Sequence, residues 1–346
     1  MMTNFFRSII LSSTAIIVTL AAAFAHAGQV RDTLTASDTR GEFSFMSVDA
    51  QTSVRDLKAG KPLKADTELS GVLSFPGFLP TSASATNKVP AVVLMHGSNG
   101  PNKSVKAWAD HLNGIGVATF MLDIFTGRGI KNSGEDQSQI KRDTGAIDAL
   151  QALKLLASHP FIDSKRIAVM GFSKGGTSAE VAAFKLTNEL VLGKDSPVQF
   201  AGHIAFYGGC YATARTTGAP ILMLIGEAED YLPAANCRHT VALLKMGGAN
   251  VKLVTYPGAY HGFDTGNKLV RHPNLQNTPS CKAVADYDTG QFYLPNGADP
   301  MKGVPAAEML RQRCESERGA HAGGNDAAAQ AAKDEVNSFV KSYLQR

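Results

Sequence analysis

A glycine-flanked serine, Gly171-Phe172-Ser173-Lys174-Gly175, stands where an apolar run ends and a helix-like stretch begins. A serine hydroxyl is a weak nucleophile. It attacks a carbonyl when a base removes its proton, a carboxylate orients that base, and amide donors hold the developing oxyanion. The spacing G-x-S-x-G suits that chemistry because so sharp a turn leaves no room for side chains beside the serine. The turn lifts Ser173 above a sheet and aims the next amide, that of Lys174, into the same space. Taken alone, the pattern also fits a plain glycine-rich turn; its place after "RIAVM" and before a helix favours the nucleophile.

Of the nine histidines, His261 in "YPGAYHGF" follows a late strand, "VKLVTY", in a loop that could swing over Ser173. His111, His159 and His239 fall on helices or at their ends, and His203 lies inside a strand. His272 and His321 fall in a polar, irregular stretch. The orienting acid should follow "PILMLIG", where Glu229 and Asp230 compete and Glu227 is a weaker third. Neighbours on an extended loop point apart, so one faces His261 and the other is expected to cap the helix near Pro233. For the oxyanion, the turn His96-Gly97-Ser98 offers the Ser98 amide beside that of Lys174. His96 and Arg128, in "FTGRG", are possible substrate contacts, Arg128 through a bidentate grip on a carboxylate. The competing roles are structural: His96 holding its turn, Arg128 anchoring its own loop.

The elements needed to position these residues are legible as alternating patterns. "EFSFMSV" and "LSGVLSF" read as strands, "VPAVVLMHG" as a strand covered on both faces, and "KAWADHLNGIG" as a helix stopped by glycine. "VATFMLD" is a strand; Ala146, Ile147, Leu150, Leu153 and Ala157 then recur at helical spacing up to Pro160. Strand "RIAVMGF", helix "GGTSAEVAAFKL", strands "FAGHIAFYGG" and "PILMLIGE", helix "AANCRHTVALLKMGG", strand "NVKLVTYPG" and a closing helix "AAQAAKDEVNSFVKSYL" complete the series. Such alternation means an α/β fold, a mostly parallel central sheet with helices on both faces. One domain is expected over residues 28–346, with an irregular insertion at about 272–326.

A length of 346 residues allows a sizeable core, and 44% apolar with 18% charged residues is ordinary for a globular chain. A net charge of +4 without basic clusters argues against a nucleic-acid partner. The first residues carry Arg7, an apolar run from Ile9 to Phe24 and the closing Ala25-His26-Ala27. This reads as a signal peptide over residues 1–27, the run being short for the ~20 apolar residues of a span. Export to the periplasm or the cell exterior is expected, with no stable membrane anchor after cleavage. In such a compartment four cysteines suggest disulfides. Cys210 follows one strand and Cys237 begins the helix after the next, so both can lie at one end of the sheet; Cys281 and Cys314 would staple the insertion. No cysteine stands at close metal spacing, so a metal site is not expected.

From "LMHGSNG" through "LDIFTGRG", "FIDSKRIAVMGFSKGG", "GEAEDYLPAANC" and "YPGAYHGFD", the chain resembles the dienelactone hydrolase family of α/β hydrolases, from about Leu69 to the C-terminal helix. The order Ser, acid, His is that of the α/β hydrolases. The resemblance implies an α/β-hydrolase fold and hydrolysis of lactones or small carboxylic esters through an acyl-serine, with no metal or organic cofactor. Two departures stand out. The family's namesake enzymes carry cysteine where this chain has Ser173, which points to a general ester or lactone hydrolase. The family's usual Asp, three residues after the strand glycine and with a Pro seven after it, is here Glu229, with Pro233 in place and Asp230 beside it. The resemblance thus favours Glu229 by register, while side-chain length favours Asp230. The partner expected is a small-molecule ester or lactone. Competing readings are a serine peptidase of the prolyl-oligopeptidase type, which normally carries a large accessory domain, and a non-catalytic exported α/β binding protein, which would not need this order of residues. Oligomeric state has no signal in the sequence.

Overall fold

Eight strands form the central sheet: β1 (Arg40–Ser47), β2 (Thr67–Ser74), β3 (Val89–Met95), β4 (Ala118–Asp123), β5 (Ile162–Phe172), β6 (Gly202–Phe206), β7 (Ile221–Gly226) and β8 (Val251–Tyr256). The computed structural model describes residues 29–77, 87–213, 215–277, 284–288, 292–293 and 317–345. Spatial order is β1-β2-β4-β3-β5-β6-β7-β8. β1 pairs antiparallel with β2, and β2 with β4; every other pairing in the sheet is parallel. The continuous apolar runs become central strands because both faces are covered: β6 and β7 are buried along their whole length.

The helices are α1 (Val54–Lys58), α2 (Lys103–Gly114), α3 (Thr144–Ala157), α4 (Lys174–Val181), α5 (Lys185–Leu192), α6 (Ala234–Met246) and α7 (Asp326–Tyr343). α2 begins at Asn102, whose side chain accepts from the Ser104 and Val105 amides, and Asn325 caps α7 in the same way through Ala328. Among the described residues no helix is long and apolar enough to cross a membrane.

Two expectations are corrected. The stretch "GGTSAEVAAFKL" is not one helix: α4 stops at Val181 and α5 starts at Lys185. Between them Phe184 is fully buried, forms a bridge with Thr216 and packs its ring on Tyr287, contacts that an unbroken helix could not make. The insertion is also not irregular throughout. Its ends form an antiparallel ribbon, β9 (Val270–Asn277) with β12 (Glu317–Ala322); between them lie the two-residue strands β10 (Val284–Ala285) and β11 (Phe292–Tyr293). Cys281, Cys314 and the expected leader lie outside the described residues.

Candidate active site

Ser173 sits at the junction of β5 and α4 with φ 55° and ψ −116°, a conformation side chains rarely adopt. The flanking glycines are sterically required. A Cβ on Gly171 would overlap the Gly175 carbonyl, one on Gly175 the Met95 carbonyl, and one on Gly176 the Phe206 carbonyl. The turn is pinned by the Ser173 amide donating to the Phe206 carbonyl at 2.9 Å.

His261 Nε2 lies 2.9 Å from Ser173 Oγ, and its Nδ1 lies 3.0 Å from Glu229 Oε2. A carboxylate only accepts, so Nδ1 carries the proton and the Nε2 lone pair faces the serine hydroxyl. The other oxygen of Glu229 accepts from the amides of Tyr231 (2.9 Å) and Leu232 (3.3 Å). The Glu229 side chain is wholly buried and that of His261 is 12% exposed, so the bonds work away from bulk water. Asp230 points elsewhere. It accepts from His321, through the backbone amide at 2.9 Å and the ring Nδ1 at 2.7 Å. Nor does it cap α6, whose first turn has no side-chain cap. The expectation of a cap fails because the return strand β12 competes for the carboxylate.

Two tyrosine rings enclose the imidazole: Tyr207 and Tyr231 each have ring centroids 4.6 Å from that of His261. Tyr207 Oη donates to Asp264 Oδ1 at 2.6 Å, and Trp108 Nε1 donates to Asp264 Oδ2 at 2.8 Å. Burial pushes the Asp264 carboxyl above its ordinary range, partly offset by those two donors. Tyr231 Oη accepts from Gln137 Nε2 at 3.0 Å, and the same nitrogen reaches Ser98 Oγ at 3.2 Å. Asp264 lies inside the motif "YHGFD", but nothing in the sequence says which residues it will meet. Tyr231 likewise lies inside "GEAEDYLPAANC" without a sign of its contact with His261, and Gln137 and Tyr207 carry no sequence signal for theirs.

Ser98 and Lys174 both line the recess beside Ser173, about 260 Å³ in volume. Lys174 is the first residue of α4, where an amide has no acceptor within the helix. Gly97 brings the Ser98 turn close, since a Cβ there would meet the Phe172 carbonyl and Ser173 Cβ at 3.2 Å. A second recess of about 320 Å³ also borders Ser173 and is lined by Tyr207, His261 and the β9 residues Val270 and Leu275. A recess of about 740 Å³ between α1 and the start of α3 touches none of Ser173, His261 or Glu229. The Lys174 side chain is largely buried; burial, with the Arg142 charge adding, pulls its ammonium down to about 8. Tyr211, which lines the same recess, is held by its neighbours: the Cys210 amide donates to buried Glu180 at 2.9 Å, and Cys210 is disulfide-bonded to Cys237.

The two possible substrate contacts make structural contacts instead. Arg128 makes a bidentate pair with Asp148 at 2.8 Å for both bonds and also donates to the carbonyls of Ile124 and Val48, with its side chain 3% exposed. His96 is buried, with Nδ1 2.7 Å from the Gly97 carbonyl and Nε2 3.2 Å from the Ile124 amide. Both fasten the loops after β3 and β4, and neither lines a recess at Ser173.

A mostly parallel eight-stranded sheet, with a strained serine turn between its β5 and the following helix, defines an α/β hydrolase. The model of the dienelactone hydrolase family matches residues 75–271, and the chain belongs to that family of carboxylic ester hydrolases. A protein of Bradyrhizobium sp named "Probable 2-oxo-3-(5-oxofuran-2-ylidene)propanoate lactonase" is 24% identical over 201 residues, 51% of this chain and 75% of that protein. Among solved structures, Thermogutta terrifontis esterase 2 phosphoramylated by tabun superposes with a TM-score of 0.46 at 17% identity, covering 59% of this chain and 83% of that one.

Proposed function

We propose that the protein hydrolyses carboxylic esters and lactones through an acyl-serine intermediate on Ser173. Ser173 Oγ attacks the carbonyl carbon while His261 Nε2 takes the hydroxyl proton, and Glu229 holds the imidazole in the tautomer that can accept it. The Ser98 and Lys174 amides donate to the oxyanion of the tetrahedral intermediate. Its collapse breaks the carbon–oxygen bond to the leaving group, which departs with the proton from His261. Water then attacks the acyl-serine by the same path, with its proton taken by His261 and passed to Ser173 Oγ. The observation that carries this reading is the unbroken run of hydrogen bonds from Glu229 through His261 to a serine in strained geometry. The lactonase name of the Bradyrhizobium relative supports including lactones among the substrates.

The test is a screen of the purified mature protein against p-nitrophenyl esters of graded chain length and a panel of lactones. Turnover is expected to disappear in Ser173→Ala and to fall nearly as far in His261→Ala, because such residues act as a unit. A fluorophosphonate should label Ser173. Labelling at another serine, or full turnover in Ser173→Ala, refutes the assignment; binding without turnover would favour a non-catalytic role. Export with cleavage after Ala27 belongs to the same reading and is supported by the Cys210–Cys237 disulfide. N-terminal sequencing of protein from the host should begin at Gly28.

A further inference from the structure

We infer that Asp230 and His321 are positioning residues that fasten the return strand of the 270–322 excursion to both loops of the Glu229–His261 pair. The inference rests on the assignment of Ser173, His261 and Glu229 above, and deepens it.

One strand end touches both loops. The acid loop follows β7 and carries Glu229 and Asp230 side by side; the base loop follows β8 and carries His261. At their roots the loops are joined by the Ala228 amide donating to the Ala259 carbonyl at 3.1 Å, with Gly226 lying against the same carbonyl. Nearer the reacting groups, the link runs through β12. Its His321 donates twice to Asp230, by backbone amide and by ring. Its next residue, Ala322, bridges His261, and the Gly323 amide donates to the His261 carbonyl at 2.9 Å. Three consecutive residues thus join the neighbour of the acid to the backbone of the base. The carboxylate of Asp230 can only accept, so His321 Nδ1 is the protonated nitrogen. The His321 ring also leans on Tyr260, beside His261, with centroids 5.3 Å apart.

The pair itself adds little to overall stability. Its side chains are 38% and 41% exposed, and water screens such a contact. Its effect is instead geometric. Glu229 and His261 come from separate loops and must stay within hydrogen-bond reach, and a displacement of about 1 Å in such an arrangement costs on the order of 100-fold in rate. The same excursion contributes Gln276 and Asn277 to the cleft wall, and Gln276 Oε1 accepts from the Gln137 amide at 2.9 Å. The excursion is therefore tied to the cleft through both β9 and β12.

The experiment measures steady-state hydrolysis of p-nitrophenyl acetate by the full mature chain in Asp230→Asn, His321→Phe, His321→Asn and the Asp230→Asn/His321→Phe double variant. The first two should each lower kcat about 10- to 100-fold while KM changes less than about threefold and the melting temperature barely moves. The double variant should fall no further than the worse single one, because both remove one shared contact. His321→Asn, whose side-chain N–H stands where Nδ1 donates, should recover most of kcat. The inference is overturned if both singles keep kcat within about twofold of the wild type, if their losses multiply, or if His321→Asn is no better than His321→Phe. Should Asp230→Asn fail to fold, as judged by circular dichroism, His321→Phe and its rescue decide alone. Failure of the underlying assignment looks different: Ser173→Ala would retain turnover and the fluorophosphonate would label another residue.

Discussion

Glu229 and Asp230 are chain neighbours, yet each serves a different histidine, and substituting each should leave a different kinetic mark. In Glu229→Gln the amide nitrogen can donate where the carboxylate accepted. The imidazole then has reason to place its proton on Nε2, facing Ser173, which is the wrong tautomer for a base. A loss of about 10⁴-fold in kcat is expected, the scale known for removing such a carboxylate without disturbing its geometry. Steady-state kinetics with p-nitrophenyl acetate checks it, and a loss as small as that expected of Asp230→Asn would contradict the assignment. Lys174 supports a second prediction at this scale. Its folded-state ammonium titrates near 8, below the ordinary 10.5, so the unfolded chain binds more protons between those values and stability rises with pH across that window. Below about 8 the buried charge costs up to about 3 kcal/mol, and above about 10.5 it costs nothing. Lys174→Met should therefore melt higher than the wild type at pH 6.5, with the difference closing by pH 10.5; a constant difference would contradict the assignment.

Among the elements, the buried Arg128–Asp148 pair joins the loop after β4 to α3. Asp148 also accepts from Ser47 Oγ at 2.5 Å at the end of β1, so one carboxylate ties the edge of the sheet to a helix that is almost wholly buried. Arg128→Met leaves Asp148 buried without its cation, and about 3–5 kcal/mol of destabilisation is expected. Urea titration measures this. Because Arg128 lines no recess at Ser173, KM for esters should stay within about twofold, and a large rise in KM would restore the substrate-contact role. The break between α4 and α5 is also decided at this scale, since nothing in "AEVAAFKL" opposes helix except the burial that Phe184 finds beside Tyr287.

For the whole molecule, the Cys210–Cys237 bond links the loop after β6 to α6 across a sequence separation of 27 residues. Closing a loop of that size stabilises the fold by about 3–4 kcal/mol through the entropy of the unfolded chain. The double variant Cys210→Ala/Cys237→Ala should lose about that much in urea titration. Catalysis should suffer as well, because Tyr211 beside Cys210 forms part of the cleft wall. A variant as stable as the wild type would show that packing alone holds this loop.

Most of the strand and helix series, the glycine-flanked turn at Ser173 and the place of His261 in the loop after β8 were legible in the sequence because their causes are local. Apolar periodicity reports which face is buried, and glycines at 171 and 175 report a turn in which no Cβ fits. Choosing between Glu229 and Asp230 needed the fold. Neighbouring side chains diverge, and the one that meets His261 is set by the register of β7 against β8 and by β12, which occupies the other carboxylate. The structural use of Arg128 and His96, the clamp of Tyr207 and Tyr231 on His261, and the ordered β9–β12 ribbon were likewise settled only in three dimensions. Each depends on partners tens of residues or more away in the chain, and no local pattern encodes which distant group packing will bring into contact.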